Sequence, residues 1–250
     1  MPKLGLIGKP LDHSKSPELF QAKFNSIGIA EDWTYLLYPL DDISEITGLW
    51  QNNPELVGLN VTVPYKQTVI PYLEEISTEA AEIGAVNTLV KQANSGNIFG
   101  YNTDVIGFKS TLVPHLLSTD TDALILGTGG SSKAVQYVLR ELGINYYLVS
   151  RYGGEGILKY SQLNFDVFST CSLIINCTPV GMSPLQSQSP AIPYQHINAY
   201  HLLYDMVYNP EQTNFLARGK PYGARIVSGL GMLQVQADAA WDLWSTIHLK

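Results

Sequence analysis

The chain is poor in cysteine, in positive charge and in long apolar runs, and each shortage excludes a class of protein. Its two cysteines, Cys171 and Cys177, lie in or beside one apolar run, CSLIINC. So few thiols exclude a disulfide framework and a thiolate zinc site, and they read as small buried groups. No apolar run reaches the roughly 18 residues that a bilayer span needs, and the N-terminus lacks a signal peptide's apolar core. A cytoplasmic protein without membrane partners is expected. The 15 basic residues are outnumbered by 22 acidic ones, for a net charge of −7, and such a field repels nucleic acid and anionic membranes. Any anionic ligand then needs a local cationic site. His and Cys ligands are not clustered, so no metal is expected. What the chain does have is 45% hydrophobic content over 250 residues, enough for one large domain or two modest ones.

The first part of the chain mixes strands and helices. KLGLIG (Lys3 to Gly8) predicts a strand and KPLDHSKSP a loop. Ser16 to Asn25 predicts a helix, with Ser16 placed to cap it and Pro17 in its first turn. TYLLYPL and GLNVTVP read as further strands, the latter half-buried. Polar-faced helices are predicted near Asp41 to Gln51 and over Ser77 to Ile83. Alternation on both sides of Asn94-Ser95-Gly96-Asn97 predicts a hairpin. The second part changes grammar. ALILGTGGSSKAVQYVLRELGINYYLVSR reads as strand, glycine turn, helix, glycine stop and strand. SLIINCTP and HLLYDMVY are continuous apolar runs, as in strands buried on both faces of a parallel sheet. Leu233 to Trp244 reads as one amphipathic helix. A domain boundary falls in NTDVIGF.

The glycine turn is Gly127-Thr128-Gly129-Gly130-Ser131, followed by Ser132 where a third glycine is usual. Between a strand and a helix, such a turn lets a pyrophosphate approach backbone N–H groups. About 20 residues beyond the glycines, an NAD site usually presents a carboxylate, whereas a cation there accommodates the 2′-phosphate of NADP. This chain has Ser150-Arg151, and a guanidinium can meet a phosphate with two parallel hydrogen bonds. NADP is the expected cofactor.

The strand GLNVTVPYK carries Asn60 and Thr62 on one side by their i, i+2 spacing and ends at Pro64 and Lys66. Hydride transfer to a ketone needs a proton donor at the oxygen, and a lysine beside a carboxylate can serve. Asp104, ending the hairpin in YNTD, is the partner the sequence context suggests, although the residues alone also allow two unrelated surface groups.

SKSP (Ser14 to Pro17), NVTVPYK (Asn60 to Lys66), GAVNTL (Gly84 to Leu89), NTD (Asn102 to Asp104), GTGG, INCTPVGM and GLGMLQVQ (Gly229 to Gln236) together resemble, in order, the motifs of the shikimate dehydrogenases. The resemblance spans nearly the whole chain. It implies an α/β fold: an N-terminal substrate domain over residues 1–104, completed by a C-terminal helix in 232–250, and a Rossmann cofactor domain over 105–231, with a cleft between them. It also implies reversible NADP-dependent reduction of 3-dehydroshikimate to shikimate, a step toward chorismate and the aromatic amino acids. Carried over by residue, it makes Lys66 and Asp104 the catalytic pair. Ser14 and Ser16 would take the substrate carboxylate. Asn60, Thr62, Asn87, Gln236, Lys66 and Asp104 would take the ring hydroxyls, since each needs a buried partner. Tyr208 would face the substrate, and Met206 and Gly229 would lie by the nicotinamide. A small-molecule substrate and a monomer or homodimer complete the picture. The resemblance supplies no catalytic histidine, so His13 is expected to do structural or hydrogen-bonding work, and Tyr65 is left without a role.

The segment after the second Rossmann strand departs from the family's Asn-Arg-Thr and its following basic residue. Here it reads Ser-Arg-Tyr-Gly-Gly-Glu, with Glu155 near the missing cation, which would permit some use of NADH. GGEGILKYSQL leaves room for a turn or a stub of helix at most. A broader quinate/shikimate dehydrogenase able to use NAD, and a non-catalytic sensor of a pathway acid on the same fold, are the alternative readings.

Overall fold

The computed structural model describes residues 1–12 and 14–248, so the expectation for His13 lies outside the described residues. The chain divides into two compact units, Met1–Asp104 with the segment from Gln236 onward, and Val105–Val235. In chain order the first unit holds β1 (Lys3–Gly8), α1 (Ser16–Ser26), β2 (Thr34–Pro39), α2 (Ile46–Asn52), β3 (Leu56–Val61), β4 (Glu75–Ile76), α3 (Thr78–Ile83), β5 (Thr88–Lys91) and β6 (Ile98–Tyr101). α4 (Asp104–Leu112) starts on the last residue of the Met1–Asp104 stretch and opens the second unit from Val105; that unit continues through β7 (Asp122–Leu126), α5 (Gly130–Glu141), β8 (Asn145–Ser150), β9 (Ile157–Lys159), α6 (Phe165–Thr170), β10 (Leu173–Asn176), β11 (Leu202–Asp205), α7 (Asn214–Gly219) and β12 (Arg225–Ser228). Last comes α8 (Leu230–His248), whose residues from Gln236 belong to the first unit. Among the described residues no helix is long and apolar enough to cross a membrane.

The sheet of the first unit has the order β2-β1-β3-β5-β6-β4, with β1 parallel to both of its neighbours and β5 antiparallel to β3 and β6. β3 is therefore central and buried on both faces, not half-buried as its alternation suggests. Side chains alternate across the sheet. Ile7, Leu59 and Val61 pack with Ile43, Ile46 and Val86 on one face, while Leu4 and Leu6 pack with Phe20, Phe24, Trp33, Tyr35, Trp241 and Trp244 on the other. Trp244 reaches β3 because residue 58 is glycine: a Cβ there would run into the indole. Its indole N–H donates to the Leu89 carbonyl at 2.9 Å. Pro17 does stand in the first turn of α1, but Ser16 does not cap the helix; the cap position is Lys15, with no side-chain hydrogen bond. The hairpin about Asn94–Asn97 forms as β5 and β6.

The sheet of the second unit is parallel throughout, in the order β12-β11-β10-β7-β8-β9. Its central strands β10 and β11 are buried throughout and β7 from Ala123 onward, as continuous apolar runs require. Cys171 is buried and Cys177 half-buried, and neither is in a disulfide; burial pushes the Cys171 thiol up to about 12. The segment GGEGILKYSQL, expected to hold a turn or a helical stub, holds a 3-10 turn at Tyr160–Gln162 but also the unexpected strand β9, and α6 comes after it. Three residues, Ile157 to Lys159, are too few for any period to show.

Candidate active site

β3 delivers its polar end to a turn. Thr62 donates its N–H to the Ile7 carbonyl at 2.9 Å, just past the strand, and the chain turns through Pro64 to Lys66. The Lys66 carbonyl accepts the Val86 N–H at 2.7 Å, so the lysine is fixed to the segment that precedes β5. Asp104 lies just past β6, where Asn102 bonds the Ala85 carbonyl through its side-chain amide at 2.8 Å and accepts the Asp104 N–H at 3.1 Å. One backbone bond, to Val86, and one side-chain amide, on the neighbouring Ala85, thus bring the two charges together. Lys66 Nζ donates to Asp104 Oδ2 at 2.5 Å, with both residues buried, at 9% and 5% exposure.

Asn87 completes the pair. Its Oδ1 accepts the Thr103 N–H at 2.7 Å and the Thr88 hydroxyl at 3.0 Å, and a backbone donor on the oxygen settles which way the amide faces. Its Nδ2 therefore points at Asp104 Oδ1, 2.9 Å away, with Thr103 Oγ1 at 3.0 Å and Gln236 Oε1 at 3.4 Å. Each carboxylate oxygen of Asp104 has its own donor, which is what a buried charge needs. Lys66, Asn87, Asp104 and Gln236 are thereby brought together. Asn60 sits behind them: its Oδ1 accepts from the Tyr35 hydroxyl at 2.8 Å, and its Nδ2 lies 3.2 Å from Thr88 Oγ1 and 3.3 Å from the Asn87 carbonyl. Ser14 Oγ accepts the Ser16 N–H at 3.2 Å; Ser16 is buried and Ser14 half-buried. Thr62 is half-buried. Tyr65 is buried and its hydroxyl donates to the Leu40 carbonyl at 2.8 Å, a core role.

Sequence reasoning missed Tyr35, Thr88, Asn102 and Thr103 as members of this network. The last three stand inside the quoted motifs GAVNTL and NTD, so a signal for them exists. Tyr35 carries none, because its ring also belongs to the aromatic core, stacked on Phe20 with centroids 4.3 Å apart.

In the second unit the glycine turn joins β7 to α5. Gly127 has φ +107°, a conformation that favours glycine, and a Cβ there would crowd Thr178 and the Cys177 carbonyl. Gly129 faces open space, with nothing within 4 Å of an added Cβ, and stands at the N-cap of α5 without any side-chain cap. An open glycine surface before uncapped helix N–H groups fits a pyrophosphate. Ser132, in place of the third glycine, is fully buried and its hydroxyl donates to the Gly129 carbonyl at 2.7 Å. Thr128 is exposed, and Gly130 and Ser131 are half-buried. Ser150 Oγ accepts the Gly153 N–H at 3.0 Å, and exposed Arg151 lies over the Tyr152 ring, 5.6 Å from its centroid.

The other predicted residues of this unit follow β11 and β12. Met206 and Tyr208 are half-buried, and Gly229 is buried. Asp205, at the end of β11, is fully buried and accepts from Thr213 Oγ1 at 2.5 Å, Asn176 Nδ2 at 2.9 Å and the Val207 N–H at 3.0 Å. Burial outweighs these donors and pushes its carboxyl up to about 6. Among the described residues no group of His, Cys, Asp and Glu is arranged to hold a metal ion.

The sequence profile of the shikimate dehydrogenase substrate binding domain matches residues 6–89. The chain is 39% identical over 273 residues to the shikimate dehydrogenase (NADP(+)) of Halothermothrix orenii, covering 98% of this chain and 91% of the relative. It is 34% identical over 267 residues to that of Desulforamulus reducens, covering 96% and 89%. The crystal structure of shikimate 5-dehydrogenase from Thermus thermophilus in complex with NADP(H) and shikimate is similar with a TM-score of 0.85 and 30% identity, covering 98% of this chain and 94% of that one. Both the glycine-turn unit and the unit with the Lys66–Asp104 pair fall within these matches, and the chain belongs to the shikimate dehydrogenase family.

Proposed function

We propose that the chain catalyses the reversible NADP-dependent interconversion of 3-dehydroshikimate and shikimate, with Lys66 and Asp104 as its proton-transfer pair. The observation that carries this is the buried Lys66–Asp104 contact with Asn87 on the second carboxylate oxygen. NADPH, when bound, supplies the hydride for the C3 carbonyl. Lys66 gives a proton to the oxygen as negative charge develops there, and takes it back in the reverse direction. Asp104 holds the ammonium in place and balances its charge, and Asn87 holds Asp104. Thr62, Asn87 and Gln236 present amides and a hydroxyl to the ring hydroxyls, with Asn60 as the wall behind them. Ser14 and Ser16 receive the substrate carboxylate. Tyr208 is assigned to the substrate as well, and Met206 and Gly229 to the nicotinamide side of the cofactor.

For the cofactor, Gly127, Thr128, Gly129, Gly130 and Ser131 would hold the pyrophosphate, and Ser150 and Arg151 the adenosine ribose with its 2′-phosphate. All of these residues come from one chain, so a monomer or a homodimer serves equally. The two unbridged cysteines support a cytoplasmic setting. The test is reduction of NADP by purified protein with shikimate, run beside quinate and beside NAD. Turnover highest with shikimate and NADP is expected; no turnover with shikimate under either cofactor would defeat the reading.

A further inference from the structure

Residues 152–158, directly after Arg151, contain no base, yet the chain is acidic overall and the 2′-phosphate of NADP is a dianion. The fold returns a cation to the same place by another route. Gly154 and Ile157 close a tight reversal through paired backbone hydrogen bonds of 3.2 and 3.1 Å, after which β9 runs parallel to β8. Lys159 is thereby the register partner of Ser150, one strand spacing of about 4.8 Å away. In a parallel dinucleotide-binding sheet this end of the second strand is where the adenosine ribose sits.

We propose that Lys159 is a second cation of the 2′-phosphate site, bracketing the turn after β8 together with Arg151 and favouring NADP over NAD. The inference rests on the NADP reading above. Its geometry lies in the turn itself. A Cβ on Gly153 would fall 2.7 Å from Lys159 Cγ and 3.1 Å from Cε, so the lysine stem lies along the bare face of that glycine. The turn is held by the Gly153 N–H on Ser150 Oγ, and the start of the lysine by its own N–H on Gln162 Oε1 at 2.7 Å. Arg151 follows Ser150 directly, so it leaves the end of β8 beside the Ser150–Lys159 register pair. Arg151 and Lys159 are both exposed, and among the described residues neither is in an ion pair. Glu155 occupies the tip of the Gly154–Ile157 reversal, exposed and likewise outside any ion pair among the described residues. The site therefore has two exposed cations, Arg151 and Lys159, neither neutralised by a carboxylate among the described residues.

The test is calorimetric binding of adenosine 2′,5′-bisphosphate and of 5′-AMP to the wild type and to Lys159→Met, Lys159→Arg and Arg151→Met, with NADP and NAD turnover measured alongside. Lys159→Met is expected to weaken the bisphosphate about tenfold, the scale of one charge-assisted hydrogen bond, while 5′-AMP is unchanged and Lys159→Arg keeps most of the affinity. Unchanged melting temperatures are expected, as the side chain is exposed. If Arg151→Met loses the bisphosphate preference and Lys159→Met keeps it, Lys159 is no part of the site while the NADP reading stands. A wild type that binds both nucleotides equally would overturn both.

Discussion

Asn87 shows how much a single amide can decide. Its oxygen is occupied by a backbone N–H and a hydroxyl, so its nitrogen has no choice but to face Asp104. Asn87→Ala leaves the Thr103 N–H and one carboxylate oxygen of Asp104 without their partners in a buried place, and about 2–4 kcal/mol of stability should go with them. Urea unfolding measures this, and a change within error would mean that the amide is not the hub. Lys66→Ala acts differently: kcat should fall about a hundred- to ten-thousandfold with KM for shikimate little altered, because the proton is needed in the transition state. Equal kcat in wild type and variant would remove Lys66 from its role. Lys66, Asp104 and Asn87 are legible in the sequence as members of motifs. Their mutual contacts are not, since nothing in a sequence period says which polar group meets which. Asn60 illustrates the limit: its spacing with Thr62 puts both on one side, yet Tyr35, a residue with no polar signal, takes its oxygen.

At the scale of elements, long patterns are readable and short ones are not. The unit from β7 through α5 to β8 is explicit in its glycine turn, while β9 is invisible at three residues. The cap of α1 goes to Lys15 because Ser16 is drawn inward and buried, its N–H held by Ser14. β3 reads as half-buried because alternation of Asn60 and Thr62 suggests an open face; its central position comes from pairing with β1 and β5, which no local pattern records. That pairing also explains Gly58, which makes room for Trp244 of α8. Gly58→Ala should overpack this contact and cost about 1–3 kcal/mol. A lowered melting temperature together with a shift in tryptophan emission is the expected result, and a variant with wild-type melting would show that the indole has another place to go.

Across the molecule, two carboxylates of the second unit should give its stability opposite responses to acid. Asp205 keeps its proton up to about pH 6, against about 3.9 in an unfolded chain, so its protonation stabilises fully below about pH 4 and is lost as pH rises through 6. The span corresponds to about 2–3 kcal/mol. Asp120 runs the other way: burial raises its carboxyl, but Arg225, the Leu117 N–H and Ser172 outweigh this and hold it below the usual range, so its contribution is present above about pH 4 and is lost in stronger acid. The Asp205 contribution should therefore rise from pH 7 toward pH 5, against the opposite pull of His201, whose burial holds its ring below the usual range, and Asp205→Asn should remove that rise. Denaturant midpoints at both pH values, in both proteins, check it; parallel slopes would deny Asp205 the effect. The two units also differ in when they can be finished. The aromatic face of the first sheet waits for Trp241 and Trp244, which a ribosome makes after the whole of the second unit. Although domains usually fold in order of emergence, here the later unit can mature on the ribosome first, while Phe20, Phe24 and Trp33 stay uncovered until the last helix has left the exit tunnel.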